Sequence, residues 1–318
     1  MNRKVLITGA SGTLGFNLIE MLAQTPGYSI HAPVRKEWDF LLPYKTRVEF
    51  VVHDLQDERE TAELVRQIGP DVIVHCAASG VRPPRSEWFE MIGFNVSGSV
   101  SLFKAYCALP KTSHFIYIST GLVYRIQNRP LREDDPIGTL HPYGAGKAAA
   151  DSLLLAAAAE FKRTITVLRP FAFTGKHDGQ ERLFPALLRS AASGKSFSLT
   201  SGEQVRDFCA VEDVARSILL CVNRTPEKLV DVFNIGSGRC DQVRTLTKRV
   251  CLELGIDIEL KFGQAPLPPF EPSHLVADIS KADSELGWKP EINLSYAVWQ
   301  LAKQIVPTLS LREPDRTF

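Results

Sequence analysis

Tyr143 and Lys147 stand four residues apart in the run His141-Pro142-Tyr143-Gly144-Ala145-Gly146-Lys147. On a helix, positions i and i+4 share a face, so the two side chains are neighbours. An ammonium beside a phenol favours the phenolate and lowers its pKa, which makes Tyr143 a usable general acid/base near neutrality. Alone, this spacing is common, and a solvated helix pair explains it as well. Two further features together reverse the weighting, a strand ending in hydroxyls and a glycine loop upstream. The run Phe115-Ile116-Tyr117-Ile118 reads as a strand and ends in Ser119-Thr120. A hydroxyl at that end can hydrogen-bond a reacting oxygen and polarise a carbonyl. Together these groups suit proton transfer at a secondary alcohol or ketone, a reaction that also needs a carrier for hydride.

The N-terminus supplies a site for such a carrier. The strand-like run Lys4–Thr8 leads directly into Gly9-Ala10-Ser11-Gly12-Thr13-Leu14-Gly15, and an amphipathic helix follows. Gly9 permits the tight turn, Gly12 lets a pyrophosphate approach the backbone, and Gly15 lets the helix pack closely on the sheet. The helix N-terminus then offers N–H groups to phosphate. A glycine motif is a weak signal by itself; a strand before it and a helix after it give it weight. Gly9, Ser11, Gly12, Thr13 and Leu14 form the expected cofactor loop, and Lys147 can reach the nicotinamide ribose. The second strand ends in Pro33-Val34-Arg35-Lys36. An acidic residue there would favour NAD, whereas Arg35 favours the 2′-phosphate of NADP(H); NAD(H) is the alternative.

These groups need a scaffold, and the first half of the chain alternates strands and helices. Strands are expected at 4–8, 29–34, 48–52, 71–77, 114–119 and 164–170, and helices at 12–23, 60–69, 99–109 and 143–161. Such alternation implies right-handed crossovers and a parallel sheet, with ligands at the carboxyl ends of the strands. Beyond about residue 175 the pattern is less regular. Helices are expected at 183–194, 211–222 and 242–255, strand-like runs at 232–235 and 256–262, and loop in the proline-rich 266–272. The fold class expected is α/β: a doubly wound, parallel Rossmann-type sheet with a smaller mixed α/β C-terminal substrate lobe. The dinucleotide-binding domain would span 1–175, and 176–318 would be mainly the substrate lobe, with some chain returning to the first domain.

The chain has 318 residues and a net charge of +1, which argues against bulk binding to nucleic acid or to an anionic membrane. No run approaches the length of a membrane-spanning helix. The six cysteines show no zinc-ligand spacing, so no metal site is expected. Reduced thiols in apolar runs suit a cytoplasmic location.

The G-x-x-G-x-x-G spacing resembles the short-chain dehydrogenase/reductase superfamily. The resemblance to its extended branch, the NAD-dependent epimerase/dehydratase family acting mostly on nucleotide sugars, spans nearly the whole chain. It is carried by the glycine loop, His53-Asp54-Leu55, His75-Cys76-Ala77-Ala78-Ser79, Asn95-Val96-Ser97-Gly98, Ser119-Thr120, Tyr143–Lys147, Arg169-Pro170-Phe171, Arg206-Asp207-Phe208, and Asp278 to Ala282 with Leu286-Gly287-Trp288. The resemblance implies that Thr120, Tyr143 and Lys147 are catalytic, with Ser119 beside them at the substrate. It implies that Asp54 and Leu55 flank the adenine, that Ala77 and Ala78 pass under the cofactor with Ser79 and Pro170 nearby, and that Asn95 organises the strand ends. Ser79 would also face substrate, and Arg206 would bind a substrate phosphate. A homodimer through the Tyr143–Lys147 helix is expected as well, with Leu153-Leu154-Leu155 offering an apolar face.

The sequence departs from the family pattern at three places. Gly121-Leu122 follows Thr120 where sugar dehydratases carry Asp-Glu, which argues against water elimination. Ala172 replaces an asparagine, and Pro272-Ser273-His274 stands where an arginine often precedes the Ala277-Asp278 segment. The leading expectation is a 4-ketoreductase of a nucleotide-activated deoxysugar. The alternatives are a nucleotide-sugar epimerase with retained cofactor and a reductase of a non-nucleotide ketone or aldehyde.

Overall fold

The computed structural model describes residues 2–36, 38–80 and 88–317. In chain order its first half runs β1 (Arg3–Thr8), α1 (Thr13–Ala23), β2 (Tyr28–Val34), β3 (Val48–Val52), α2 (Glu58–Ile68), β4 (Val72–His75), α3 (Trp88–Ile92), α4 (Gly98–Cys107), β5 (His114–Ile118), α5 (Pro142–Phe161) and β6 (Ile165–Pro170). The second half runs β7 (Phe173–Thr174), α6 (Leu183–Ala192), β8 (Phe197–Leu199), β9 (Val205–Arg206), β10 (Cys209–Ala210), α7 (Val211–Asn223), β11 (Val230–Ile235), β12 (Asp241–Gln242), α8 (Val243–Leu254), β13 (Leu260–Phe262), β14 (His274–Leu275), α9 (Ser280–Leu286) and α10 (Leu294–Ile305).

The six strands of the first half, joined by β11 from the second, form a seven-stranded sheet of order β11-β6-β5-β4-β1-β2-β3. β1 pairs in parallel with both β2 and β4, so Val5 lies between Ile30 and Val72. β4 to β5 and β5 to β6 are also parallel. β4, β5 and β6 are buried along their whole length, as expected of strands covered on both faces. Local chemistry sets the helix limits. Asp57 caps α2 by accepting from Glu60 N–H at 2.9 Å, and Gly69 ends it in the left-handed region at φ +57°. Pro142 sits in the first turn of α5, where its missing N–H costs nothing.

By internal packing the chain resolves into two compact units. The first comprises Met1–Tyr124, Pro136–Arg169 and Ala215–Phe233; the second comprises Arg125–Asp135, Pro170–Val214 and Asn234–Phe318. The return of Ala215–Phe233 has a physical reason. β11 lies against β6, where Ile165 N–H reaches Leu229 O at 2.9 Å and Phe171 N–H reaches Ile235 O at 2.8 Å, covering an otherwise open sheet edge. The first unit's core joins Leu6, Ile73, Phe115 and Val167 of the sheet to Leu102, Phe103 and Tyr106 of α4 and Leu154 of α5. The second unit has its own core, centred on Leu187, Leu246, Val250, Leu254, Val298 and Leu301.

Two regions depart from the sequence reading. Only Leu260–Phe262 of the strand-like run 256–262 pairs as strand, in parallel with β8, while Ile256 turns into the core of the second unit. Between α3 and α4, Gly93–Ser97 forms a π-helical turn, a wide turn that places Asn95 inward. Among the described residues no helix is long and apolar enough to cross a membrane, and all six cysteines are free thiols.

Candidate active site

The glycine loop leaves β1 at Thr8. Gly9 adopts φ +72°, a conformation that disfavours side chains, and a Cβ there would lie 2.6 Å from Ala77 N. A Cβ on Gly15 would lie 2.2 Å from Gly9 O, so α1 packs against the turn itself. Gly12 differs: a Cβ there would meet only Gly9 O, at 3.3 Å, and the residue is exposed. Gly12 N–H donates to Gly9 O at 2.9 Å, and no side chain caps α1 at Gly12. Ser11 and Thr13 are half-buried beside it, and Leu14 is buried. This is the geometry of a backbone cradle for an anion.

A directed hydrogen-bond chain fixes the neighbouring strand ends. Ala77 N–H donates to Thr8 Oγ1 at 3.2 Å, which lies 2.7 Å from His75 Nδ1. His75 Nε2 lies 2.8 Å from Ser99 Oγ, which donates to Asn95 O at 2.8 Å. Because the Ser99 proton is spent on Asn95, His75 must donate from Nε2 and accept at Nδ1 from Thr8. Burial pushes His75 down to about 3, so this neutral tautomer persists. The Asn95 side chain completes the brace by accepting from Ser79 N–H and donating to Ser79 O, both at 2.8 Å.

The tyrosine and lysine both lie on α5 and are buried. A Cβ on Gly144 would lie 2.2 Å from Leu122 O, so the start of α5 packs on the turn that follows Thr120. Thr120 Oγ1 accepts from Leu122 N–H at 3.3 Å, which leaves its own O–H to donate. Lys147 is only 1% exposed, and its Nζ has no hydrogen-bond partner; the ammonium lies 4.2 Å from the centre of the Tyr117 ring. Burial pushes Lys147 down to about 8, with Asp151 opposing the shift. Asp151 Oδ2 in turn accepts from Arg169 Nε and Nη2 at 3.2 and 3.1 Å, and Arg169 Nη1 donates to Tyr124 at 2.8 Å. The group is a buried cluster of titratable side chains with an unpartnered donor at its centre.

Residues 5–236 match the profile of the NAD dependent epimerase/dehydratase family. The chain belongs to this family. A UDP-glucose 4-epimerase of Lactobacillus helveticus is 26% identical over 313 residues, spanning 91% of this chain and 92% of that protein. A dTDP-L-rhamnose 4-epimerase of Burkholderia thailandensis is 24% identical over 360 residues, spanning 96% of each. Among solved structures, MoeE5 in complex with UDP-glucose and NAD superposes with a TM-score of 0.84 at 26% identity, covering 96% of this chain and all of that one.

Membership makes the protein a nicotinamide-dependent enzyme of the short-chain dehydrogenase type. Its residues fit the dinucleotide on two counts: Lys147 is a buried donor in want of an acceptor, and the glycine cradle has no room for side chains at Gly9 and Gly15. Ala77 and Ser79 are half-buried after β4, Ala78 is exposed, and Pro170 is buried at the end of β6. Asp54 is exposed and accepts from Gln56 N–H at 3.0 Å; the cap of α2 is Asp57. Leu55 packs against the first unit's core. Arg35 is exposed, with its guanidinium 4.7 Å from the Phe94 ring centre and 4.0 Å from Glu90.

Arg206, in the second unit, is buried and held by its own surroundings. It donates to Val205 O at 2.7 Å and Pro272 O at 2.6 Å and pairs with Glu271. Ser119 is buried beside Thr120, and its Oγ has no hydrogen-bond partner. Sequence reasoning missed the brace through Thr8, His75 and Ser99, and the Asp151–Arg169–Tyr124 cluster. One signal for Asp151 was present: it stands four residues after Lys147, continuing the Tyr143–Lys147 face.

Proposed function

We propose that this protein is an NAD-dependent nucleotide-sugar epimerase, transiently oxidising a sugar carbinol and reducing the resulting ketone from the opposite face. The observation that carries this reading is the buried Tyr143–Lys147 pair on a helix packed against the Thr120 turn. Relatives that span 91–96% of the chain support it: two are named as sugar 4-epimerases, and MoeE5 is named with UDP-glucose and NAD. Gly121-Leu122 after Thr120 places no carboxylate where water elimination needs one, which weighs against dehydration.

When bound, the nicotinamide supplies the hydride acceptor and later the hydride donor. Tyr143 as phenolate takes the hydroxyl proton while the carbinol carbon gives up hydride, and Thr120 donates a hydrogen bond to the oxygen. After the ketone presents its other face, Tyr143 returns the same proton to the oxygen. Proton and hydride both come back, so the cofactor is regenerated in each turnover. Lys147, poised near 8, keeps the phenolate accessible around neutrality and is the donor for the nicotinamide ribose. Gly9, Ser11, Gly12, Thr13 and Leu14 cradle the pyrophosphate, Asp54 and Leu55 flank the adenine, and Ala77, Ala78, Ser79 and Pro170 line the nicotinamide side. Anchoring of a substrate phosphate by Arg206 requires Glu271 to release it. A homodimer through α5 rests on Leu153 at 50% and Phe161 at 52% exposure, because Leu154, expected on that face, is buried in the first unit's core and Leu155 packs against it.

One observation favours a second reading. Arg35 at the end of β2 is an exposed cation suited to the 2′-phosphate of NADP(H), and NADPH suits net reduction by a 4-ketoreductase. A panel of nucleotide sugars, assayed by NMR for epimers and by absorbance for nicotinamide turnover, separates the two. The epimerase reading predicts epimer formation without net consumption of added NADPH or NADH. Stoichiometric NADPH oxidation with a 4-keto sugar would establish the reductase instead.

A further inference from the structure

The ammonium of Lys147 poses a question that the Tyr143–Lys147 pair cannot answer alone. A cation 1% exposed and without a hydrogen bond tends to shed its proton, and a neutral amine cannot stabilise a phenolate. Groups from every element packed around it bear on its charge. From β4 and its end come His75 and Cys76; burial holds His75 neutral, down at about 3, and keeps the Cys76 thiol protonated, up at about 12. From β5 comes Tyr117, whose phenol burial pushes well above the ordinary range, so it also stays neutral. Tyr143 and Asp151 come from α5 itself. Asp151 is therefore the one group around Lys147, among the described residues, that carries an opposite charge independent of the reaction.

Asp151 is suited to that role. Its Oδ2 is held by two nitrogens of Arg169, which Tyr124 braces from the other side, while its Oδ1 is buried without a hydrogen-bond partner. Arg169 stays charged at all working pH values, so the carboxyl that it grips is held as carboxylate against the burial that pushes it up. On α5 the step from Lys147 to Asp151 is one turn, roughly 6 Å of rise, and the step from Tyr143 to Asp151 is two, roughly 12 Å.

We infer that Asp151, fixed by Arg169 and Tyr124, is a positioning residue that keeps Lys147 protonated and through it keeps Tyr143 ionisable. This deepens the proposed function and rests on its assignment of Tyr143 and Lys147. The two effects of Asp151 on Tyr143 have opposite signs. Acting directly across two turns, its negative charge raises the Tyr143 pKa. Acting through Lys147, it lowers that pKa. Removing the charge therefore raises the Tyr143 pKa only if the route through Lys147 dominates.

The test is an ultraviolet titration of tyrosinate, which needs no substrate. Subtracting the curve of the matching Tyr143→Phe protein isolates Tyr143 from the other six tyrosines. In Asp151→Asn the Tyr143 pKa is expected to rise by about one pH unit or more, and in Asp151→Glu to return to the wild-type position. Should Asp151→Asn fail to fold because Arg169 is left unpaired, Asp151→Asn with Arg169→Met removes both charges, and a rise in the same direction but smaller is expected, because a cation is lost with the anion. An unchanged or lowered Tyr143 pKa in the folded variant overturns the inference. A purely structural role would lower turnover equally at all pH values, with no displacement of the profile. An unshifted titration leaves the proposed epimerase standing, and inactivity towards every nucleotide sugar leaves the titration result standing.

Discussion

Lys147 and Arg206 are both buried cations of this enzyme, one in each compact unit, and they are treated in opposite ways. Lys147 has no hydrogen-bond partner, whereas Arg206 donates to two carbonyls and pairs with Glu271. A buried donor left unsatisfied costs stability, so such a group persists where a ligand completes it or where chemistry uses its displaced pKa. A buried cation with all its partners in place is first a structural tie. The contrast separates a buried cation left open to a ligand from one whose partners are already in place.

The largest effects should fall on opposite measurements. Lys147→Met is expected to lower turnover about 10²–10⁴-fold, the usual range for disabling acid–base chemistry, while leaving resistance to urea equal or greater. Arg206→Met is expected to lose on the order of 1–3 kcal/mol in urea unfolding, because Glu271 and two carbonyls lose their donor. If Arg206→Met were the more stable of the two, the comparison would fail.

A middle-sized effect concerns pH. In the unfolded chain Lys147 keeps its proton up to its ordinary 10.5, but in the folded protein it sheds it at about 8. Between these values the unfolded state binds more protons, so this group makes stability rise with pH and contributes least below about pH 8. Wild type should therefore gain, relative to Lys147→Met, on the order of 3 kcal/mol between pH 8 and 10.5. Parallel stability curves for the two proteins would contradict this. The smallest effect is expected at Glu271→Gln, which loosens the grip on Arg206 without removing the side chain. Its expected outcome is a few-fold lower KM for a nucleotide sugar with kcat unchanged; a raised KM would argue that Glu271 positions Arg206 for substrate.

The two regions also differ in how much the sequence disclosed. The sheet strands, the glycine loop and the Tyr143–Lys147 helix were legible because their signals are local. Apolar runs alternate with amphipathic helices, Gly9 and Gly15 lie beside the turn they permit, and a four-residue spacing guarantees a shared helix face. Arg206 was recognisable as a residue type, but its partners were not, because Glu271 lies 65 residues away and β9 and β14 are two residues long, too short to show periodicity. The same holds for Arg169, which meets Asp151 and Tyr124 across 18 and 45 residues. The sequence also placed Arg35 at a strand end correctly, but its cation–π contact with Phe94 depends on a π-helical turn that no composition rule announces.

Tyr143 and Lys147 are proposed to serve a reversible oxidation in which hydride leaves and returns to the same sugar carbon. The most direct measurement uses a nucleotide sugar deuterated at C4 of the hexose, incubated with enzyme and unlabelled NAD, with the product analysed by NMR and mass spectrometry. The expected product is a C4 epimer that keeps deuterium at C4, with no net change in nicotinamide absorbance and with turnover lost in Tyr143→Phe. Deuterium transferred permanently to the cofactor pool, or epimers formed equally well by Tyr143→Phe, would contradict it.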